Sequence, residues 1–196
     1  MVIFGSLFAT VNTLGYGSGM DKKLNRQRWL TAGLQALAEA GPDGLKIMPI
    51  AGHLRVTKGS FYWHFENLDA YRQAVLAEWE RHYTGDAIQS LEDHPLDART
   101  KLHTWIVGAA HADLRLERAI RAWSLHHPEA GEVRQRVDAE RIGYLCKLLR
   151  GVGWPDEEAD TLARWAYGAW VGYATLDGPG FTDRQLGLIV ERLLPI

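Results

Sequence analysis

The chain has 196 residues, 46% hydrophobic and 23% charged, with one cysteine and a formal net charge of −2. That composition excludes a disordered chain, and a single thiol excludes an intrachain disulfide and suits a reducing compartment. The charge is unevenly spread: residues 1–65 hold seven Lys/Arg against three Asp/Glu, residues 66–196 fifteen against twenty-one. A basic front on an acidic body directs any polyanionic partner to the front alone.

The opening MVIFGSLFATVNTLGYGSG is apolar but lacks the basic n-region and small-residue cleavage site of a leader. Its apolar run is too interrupted to span a bilayer. Residues 1–22 are expected to form a flexible N-terminal extension, with Met20 as an alternative start, and the protein is expected in the cytoplasm without membrane contact.

From residue 23 onward, short β-branched runs of period two are missing, so the expected fold class is all-α. Leu30, Leu34, Leu37 and Ala38 recur at helical spacing until Gly41-Pro42 stops the first helix. KIMPIAGHL predicts a short second helix with Ile47, Ile50, Ala51 and Leu54 on one face. Pro49 lies in its first turn, where backbone donors lack partners in any case. A tight connection, Arg55-Val56, leads to Thr57, a capping residue type, and a third helix to Phe65. A long fourth helix is predicted over 67–91, broken by EDHPLD. Further helices are predicted at 96–111, 114–126, 129–150 and 156–176, then a DGPG loop and a last helix over 182–194. Cys146, in the apolar stretch GYLCKLL, reads as a buried structural thiol.

The stretch RVTKGSFYWHF, Arg55–Phe65, combines cations, a glycine and four aromatics. Phe61 and Phe65, four apart, face inward with Ile50, Leu54 and Val56, which leaves Thr57, Lys58, Ser60, Tyr62, Trp63 and His64 outside. Two helices and a tight turn over 46–65 have the dimensions of a helix-turn-helix, whose second helix enters the major groove. Lys58 can neutralise a phosphate or donate to guanine O6/N7, and Gly59 lets the helix N-terminus approach the duplex closely. Ser60, Tyr62 and His64 can hydrogen-bond phosphate oxygens, and Trp63 can pack on a sugar or a thymine methyl.

The span GPDGLKIMPIAGHLRVTKGSFYWHF resembles the DNA-binding signature of the TetR/AcrR family of bacterial transcriptional regulators. The resemblance covers 23–83. It implies a three-helix DNA-binding domain there and a larger helical ligand-binding and dimerisation domain over 84–196. It further implies a homodimer, a palindromic double-stranded operator, and an effector that releases the DNA. Carried over by position, Lys58, Gly59, Ser60, Tyr62, Trp63 and His64 fall where the family contacts DNA. Thr57 falls at the helix cap, and Met48 where some relatives place a base-contacting arginine. Lys46 or Ile47 stands where Thr or Ser usually caps the second helix, whose first turn can still gain from phosphate proximity, so Lys46 is included among the expected contacts. Arg55 stands where glycine is usual, and a left-handed conformation there costs about 1–2 kcal/mol. Leu68 replaces a lysine that often touches phosphate, which predicts a shallower salt dependence.

In the body, Trp79, His103, Trp105, Trp123 and Tyr144 are candidates to line a pocket for an aromatic or hydrophobic small molecule, although such stripes are core more often than pocket. TLARWAYGAWVGYATL alternates bulky residues with Ala and Gly, and the last helix carries excess apolar surface. Leu162, Trp165, Ala169, Trp170, Tyr173, Leu186, Ile189, Val190 and Leu193 are therefore expected at a dimer interface. Adjacent His126 and His127 point about 100° apart on a helix, so no metal or other cofactor is expected. No phosphate loop, nucleophile elbow or paired carboxylates suggest an enzyme. The expected function is a ligand-responsive, sequence-specific regulator, most simply a repressor. The competing reading is a helical small-molecule binding protein or adaptor with a degenerate helix-turn-helix, kept open by Lys46, Arg55 and Leu68; a metal sensor using the body histidines is a third.

Overall fold

Helical periodicity is realised throughout: in the computed structural model, which describes residues 26–176 and 180–195, every regular element is helical. The elements are α1 (Arg26–Ala40), a 3₁₀ turn (Gly41–Gly44), α2 (Ile47–Leu54), α3 (Lys58–Tyr62), α4 (Leu68–Glu80), α5 (Asp86–Glu92), α6 (Ala98–His111), α7 (Arg115–Ser124), α8 (Pro128–Gly151), α9 (Asp156–Thr175) and α10 (Asp183–Arg192). The expected extension over 1–22, the question of Met20 and most of the DGPG loop lie outside the described residues. Among the described residues no helix is long and apolar enough to cross a membrane.

Two compact units form, one from residues 26–83 and 113–135, the other from residues 84–112 and 136–195. In the first, α1 buries Trp29, Leu30, Leu34 and Leu37 and packs on α2, α4 and α7. The Tyr71 hydroxyl donates to the Trp29 carbonyl at 2.6 Å. A Cβ on Gly33 would lie 2.4 Å from that hydroxyl oxygen, so only glycine permits the α1–α4 approach. The Asn67 side chain caps α4 by accepting from the Ala70 N–H at 2.8 Å. Although it follows residue 83 in sequence, α7 belongs to this unit, with Leu116, Ile120 and Trp123 buried.

The second unit is built around Leu91, Leu102, Leu145, Leu148, Leu149, Ala159, Ala163 and Leu193. Asp97 caps α6 by accepting from the Thr100 N–H at 2.7 Å. Thr182 caps α10 in a reciprocal capping box with Gln185. The Trp154 indole N–H donates to the Leu193 carbonyl at 2.8 Å, tying the α8–α9 turn to the end of α10.

The long helix expected over 67–91 is interrupted: α4 and α5 are joined by a π-helical turn, Arg81–Gly85. Thr84, in that turn, is fully buried and its hydroxyl accepts from the Arg141 Nε–H of α8 at 3.0 Å. The Arg141 guanidinium also lies over the Trp170 ring of α9, 5.5 Å from its centroid.

Candidate nucleic-acid interface

The helix-turn-helix is assembled from the inside. Phe61 is fully buried and meets the rings of Trp29 and Tyr71 edge-on, both at 5.4 Å. Phe65, also buried, lies 5.3 Å from Phe61 and 4.8 Å from Tyr71. The Arg26 guanidinium sits over the Phe65 ring. Such edge contacts add about 0.5–1.5 kcal/mol per pair beyond burial, and burial pushes the Tyr71 phenol well above its usual pKa. From α2, Ile50 and Ala51 complete the inner surface, while Leu54 and Val56 are half-buried.

The turn between α2 and α3 is a Schellman motif. The Arg55 N–H donates to the Gly52 carbonyl at 3.1 Å and the Val56 N–H to the Ala51 carbonyl at 2.9 Å. Arg55 adopts φ 57° and ψ 45°, the left-handed conformation that the usual glycine at this position in the resemblance implies. It is the one non-glycine with positive φ among the described residues. Lys46 precedes α2 at the N-cap without a side-chain hydrogen bond. Thr57 occupies the N-cap of α3 with extended backbone, but its hydroxyl makes no cap bond. α3 ends at Tyr62, earlier than the expected Phe65, and Trp63 and His64 form a turn.

The outer face carries most of the residues expected there. Lys46, Thr57, Lys58 and Gly59 are exposed; so are Met48, Tyr62 and Trp63, at 63%, 51% and 88% of their surface. Ser60 and His64 are half-buried at its edge. Lys58 Nζ lies 5.8 Å from the Tyr62 ring centroid, so the ring holds the ammonium at the surface. A Cβ on Gly59 would meet only Thr57 Oγ1, at 3.6 Å, so nothing inside the chain demands glycine there. From Leu45 to Phe65 the chain has no carboxylate. The face is therefore cationic, aromatic and lacks carboxylates, which suits a polyanion with stacked or methylated edges.

The body candidates fall into two groups. Trp79 and Trp123 belong to the unit containing α1, both buried, with the Trp123 ring 5.9 Å from His127. His103, Trp105 and Tyr144 belong to the other unit. There Tyr144 meets Trp105 edge-on at 4.9 Å and donates its hydroxyl to Glu92 at 2.8 Å. Burial and that carboxylate both raise the Tyr144 phenol pKa. Glu92 also accepts from Lys147 and Lys101, and the bonds from Lys147 and Tyr144 hold its pKa down to about 2.

Of the expected dimer residues, Leu186, Val190 and Leu193 are turned into their own chain's interior. Leu162, Trp170 and Tyr173 are half-buried; the Trp170 indole N–H donates to the Ala109 carbonyl at 3.1 Å, and Tyr173 stacks on Phe181 at 4.7 Å. Trp165 is 66% exposed on α9, Ala169, four residues on, is exposed as well, and so is Ile189 on α10. Leu188, 53% exposed, was not anticipated; it falls off the inward spacing of Leu186, Val190 and Leu193, which is the signal that marks it. Gly168 and Gly172 have open space where a Cβ would stand. Among the described residues no group of three or more His, Cys, Asp or Glu is placed to hold a metal ion, and His126 and His127 are exposed.

Among the described residues every element is helical, and the first unit presents a cationic and aromatic helix from a helix-turn-helix, the arrangement of DNA-binding domains. Residues 30–72 match the family described as bacterial regulatory proteins, tetR family. The chain is 33% identical over 102 residues to the tetracycline repressor protein class G of Vibrio anguillarum, covering 47% of this chain and 49% of that protein. It is 41% identical over 64 residues to the class A repressor from transposon 1721 of Escherichia coli, covering 31% and 30%. The match thus spans about half the length, or less, of these curated relatives. A crystal structure of a TetR/AcrR family member superimposes with a TM-score of 0.71 at 22% identity, covering 85% of this chain and 94% of that one, a likeness of fold. Residues 30–72 thus carry a match to the tetR-family regulatory module, and the described chain shares the fold of a TetR/AcrR family member.

Proposed function

We infer that the protein is a ligand-responsive transcriptional repressor of the cytoplasm, acting as a homodimer on a palindromic DNA operator. The observation that carries this reading is the division of the 55–65 segment. Phe61 and Phe65 are locked inside, while Lys58, Tyr62 and Trp63 project outward with no carboxylate among them. A segment folded for structure alone has no use for a tryptophan 88% exposed directly after a short helix that opens with a lysine and a glycine. Lys46, Met48, Thr57, Lys58, Gly59, Ser60, Tyr62, Trp63 and His64 are the proposed DNA contacts. Exposed Trp165, Ala169, Leu188 and Ile189 support a self-association face on α9 and α10. His103, Trp105 and Tyr144, which share one unit, are the proposed surroundings of an aromatic or hydrophobic effector, whereas Trp79 and Trp123 lie in the other unit. Such an effector acts only to the extent that it prefers the state that does not fit the operator.

The test is fluorescence anisotropy of the protein against DNA flanking its own gene and against duplexes selected from a random pool, in a salt series. Lys58→Ala combined with Tyr62→Ala is the matched variant. Tight, salt-dependent binding to a two-fold-symmetric sequence, lost in the variant, is expected. Equal, weak binding to every duplex with no sequence recovered from the pool would defeat the reading and favour a small-molecule binding protein with a degenerate helix-turn-helix.

A further inference from the structure

Arg55 holds a backbone conformation that a glycine would adopt without strain, in a Schellman turn whose hydrogen bonds are all main-chain. Nothing within the described chain repays its side chain for that position. Arg55 is exposed, and its guanidinium has no hydrogen bond or ion pair among the described residues. Strain retained at one point of an otherwise regular surface marks a residue kept for what it touches outside. Its position is specific: it closes α2 two residues before the Thr57 N-cap of α3, so the recognition helix starts three residues later at Lys58. With Lys46 at the start of α2 and Lys58 at the start of α3, it makes three fixed cations between residues 45 and 65, against no carboxylate. Its planar fork suits two oxygens of one phosphate, and its long stem gives it reach from a turn.

We propose that Arg55 clamps a backbone phosphate of duplex DNA beside the recognition helix, a contact that glycine at this position cannot make. This rests on the reading of the helix-turn-helix as a duplex-binding element. The contact contributes affinity on all sequences and none of the base preference, since a phosphate is the same at every step. The one internal role open to the side chain is interaction of its charge with the C-terminal end of α2, and the two roles make opposite demands on a glycine variant.

The experiment compares Arg55→Gly, Arg55→Asn and Arg55→Lys in the full chain, with Lys58→Ala as control. The probes are a duplex recovered by the wild type from a random pool and an unselected duplex of equal length. Asparagine tolerates the left-handed conformation without charge, so it separates loss of the cation from loosening of the turn. Gly and Asn variants are expected to bind both duplexes about fivefold more weakly per subunit at 0.15 M salt, with the slope of log K against log salt reduced by about 0.9 per subunit. The Lys variant should retain the slope, and the Gly variant should melt about 2–4 °C higher as the strain is removed. Unchanged affinity and slope in the Gly and Asn variants, with binding lost in Lys58→Ala, would overturn the clamp and leave the regulator reading intact. A lower melting temperature with unchanged DNA binding would make Arg55 a helix-end charge instead. Loss confined to the selected duplex would reassign it to a base. Failure of the wild type to bind any duplex would remove both readings together.

Discussion

Replacing Phe61 by alanine is the sharpest probe of how the recognition helix is held. α3 has five residues, far too few for an isolated helix to be stable in water. Phe61 is its one buried side chain, fully enclosed with three aromatic neighbours 5.3–5.4 Å away from α1, α4 and the turn after α3. Removing a fully buried phenylalanine costs about 3–5 kcal/mol through lost transfer energy and the cavity left behind. The upper part of that range is expected here, because a rigid wall of rings relaxes little into the void. Against a total stability on the order of 5–15 kcal/mol, this is a third or more of the whole. Urea unfolding followed by circular dichroism and by tryptophan fluorescence would read the loss, and Phe61→Leu should cost only about 1 kcal/mol. DNA affinity should fall in the alanine variant even below its unfolding transition, since Lys58 and Tyr62 lose the buried side chain that anchors α3. A loss below about 1 kcal/mol, or full DNA affinity in a clearly destabilised variant, would refute this account of α3.

Gly59→Ala should raise stability by roughly 0.5–1 kcal/mol, since Cβ meets only the Thr57 hydroxyl, while DNA binding weakens because the same Cβ faces the duplex. Unaltered binding would show that the helix N-terminus does not approach DNA closely. Glu92, held at a pKa of about 2 against an ordinary 4.5, stabilises the folded state above pH 4.5, and this contribution is lost as the pH falls toward 2. Glu92→Gln is thus expected to be less stable than wild type at pH 7, with the gap closing on acidification; a gap constant with pH would contradict the assignment. Trp165→Glu should shift sedimentation from dimer to monomer with the helical spectrum intact, because the indole is 66% exposed on its own chain. A dimer that survives would move the interface elsewhere.

How much of this could be read in advance depends on whether the determinant is local. The left-handed Arg55 was legible only through the resemblance, which places glycine at this turn, because arginine itself carries no preference for that conformation. The inward Phe61 and outward Trp63 were legible from a four-residue spacing. Thr57 shows the limit: its place at the N-cap was readable, but whether a hydroxyl reaches the backbone is decided by a rotamer. The π turn at Arg81–Gly85 was hidden, because it differs from an α turn by one residue and is held by Arg141, 57 positions from Thr84. Leu186, Val190 and Leu193 show a different gap. Apolar spacing says that a face is covered, but not whether the cover is the same chain or another. The membership of α7 in the first unit was not readable either, since it follows from tertiary packing rather than from any feature of its ten residues.

That membership has a consequence for biosynthesis. The N-terminal unit is discontinuous: its helices up to residue 83 are made first, and the segment that completes it, 113–135, emerges only after the intervening α5 and α6. With translation at about 5–20 residues per second, the roughly fifty residues from 83 to 135 leave about 3–10 s in which α1 waits on the ribosome without α7. During that interval the apolar surface α7 will cover is open to chaperones or to neighbouring nascent chains. A fragment ending at residue 83 would freeze the protein in that incomplete state, whereas one reaching residue 135 carries every piece of the unit.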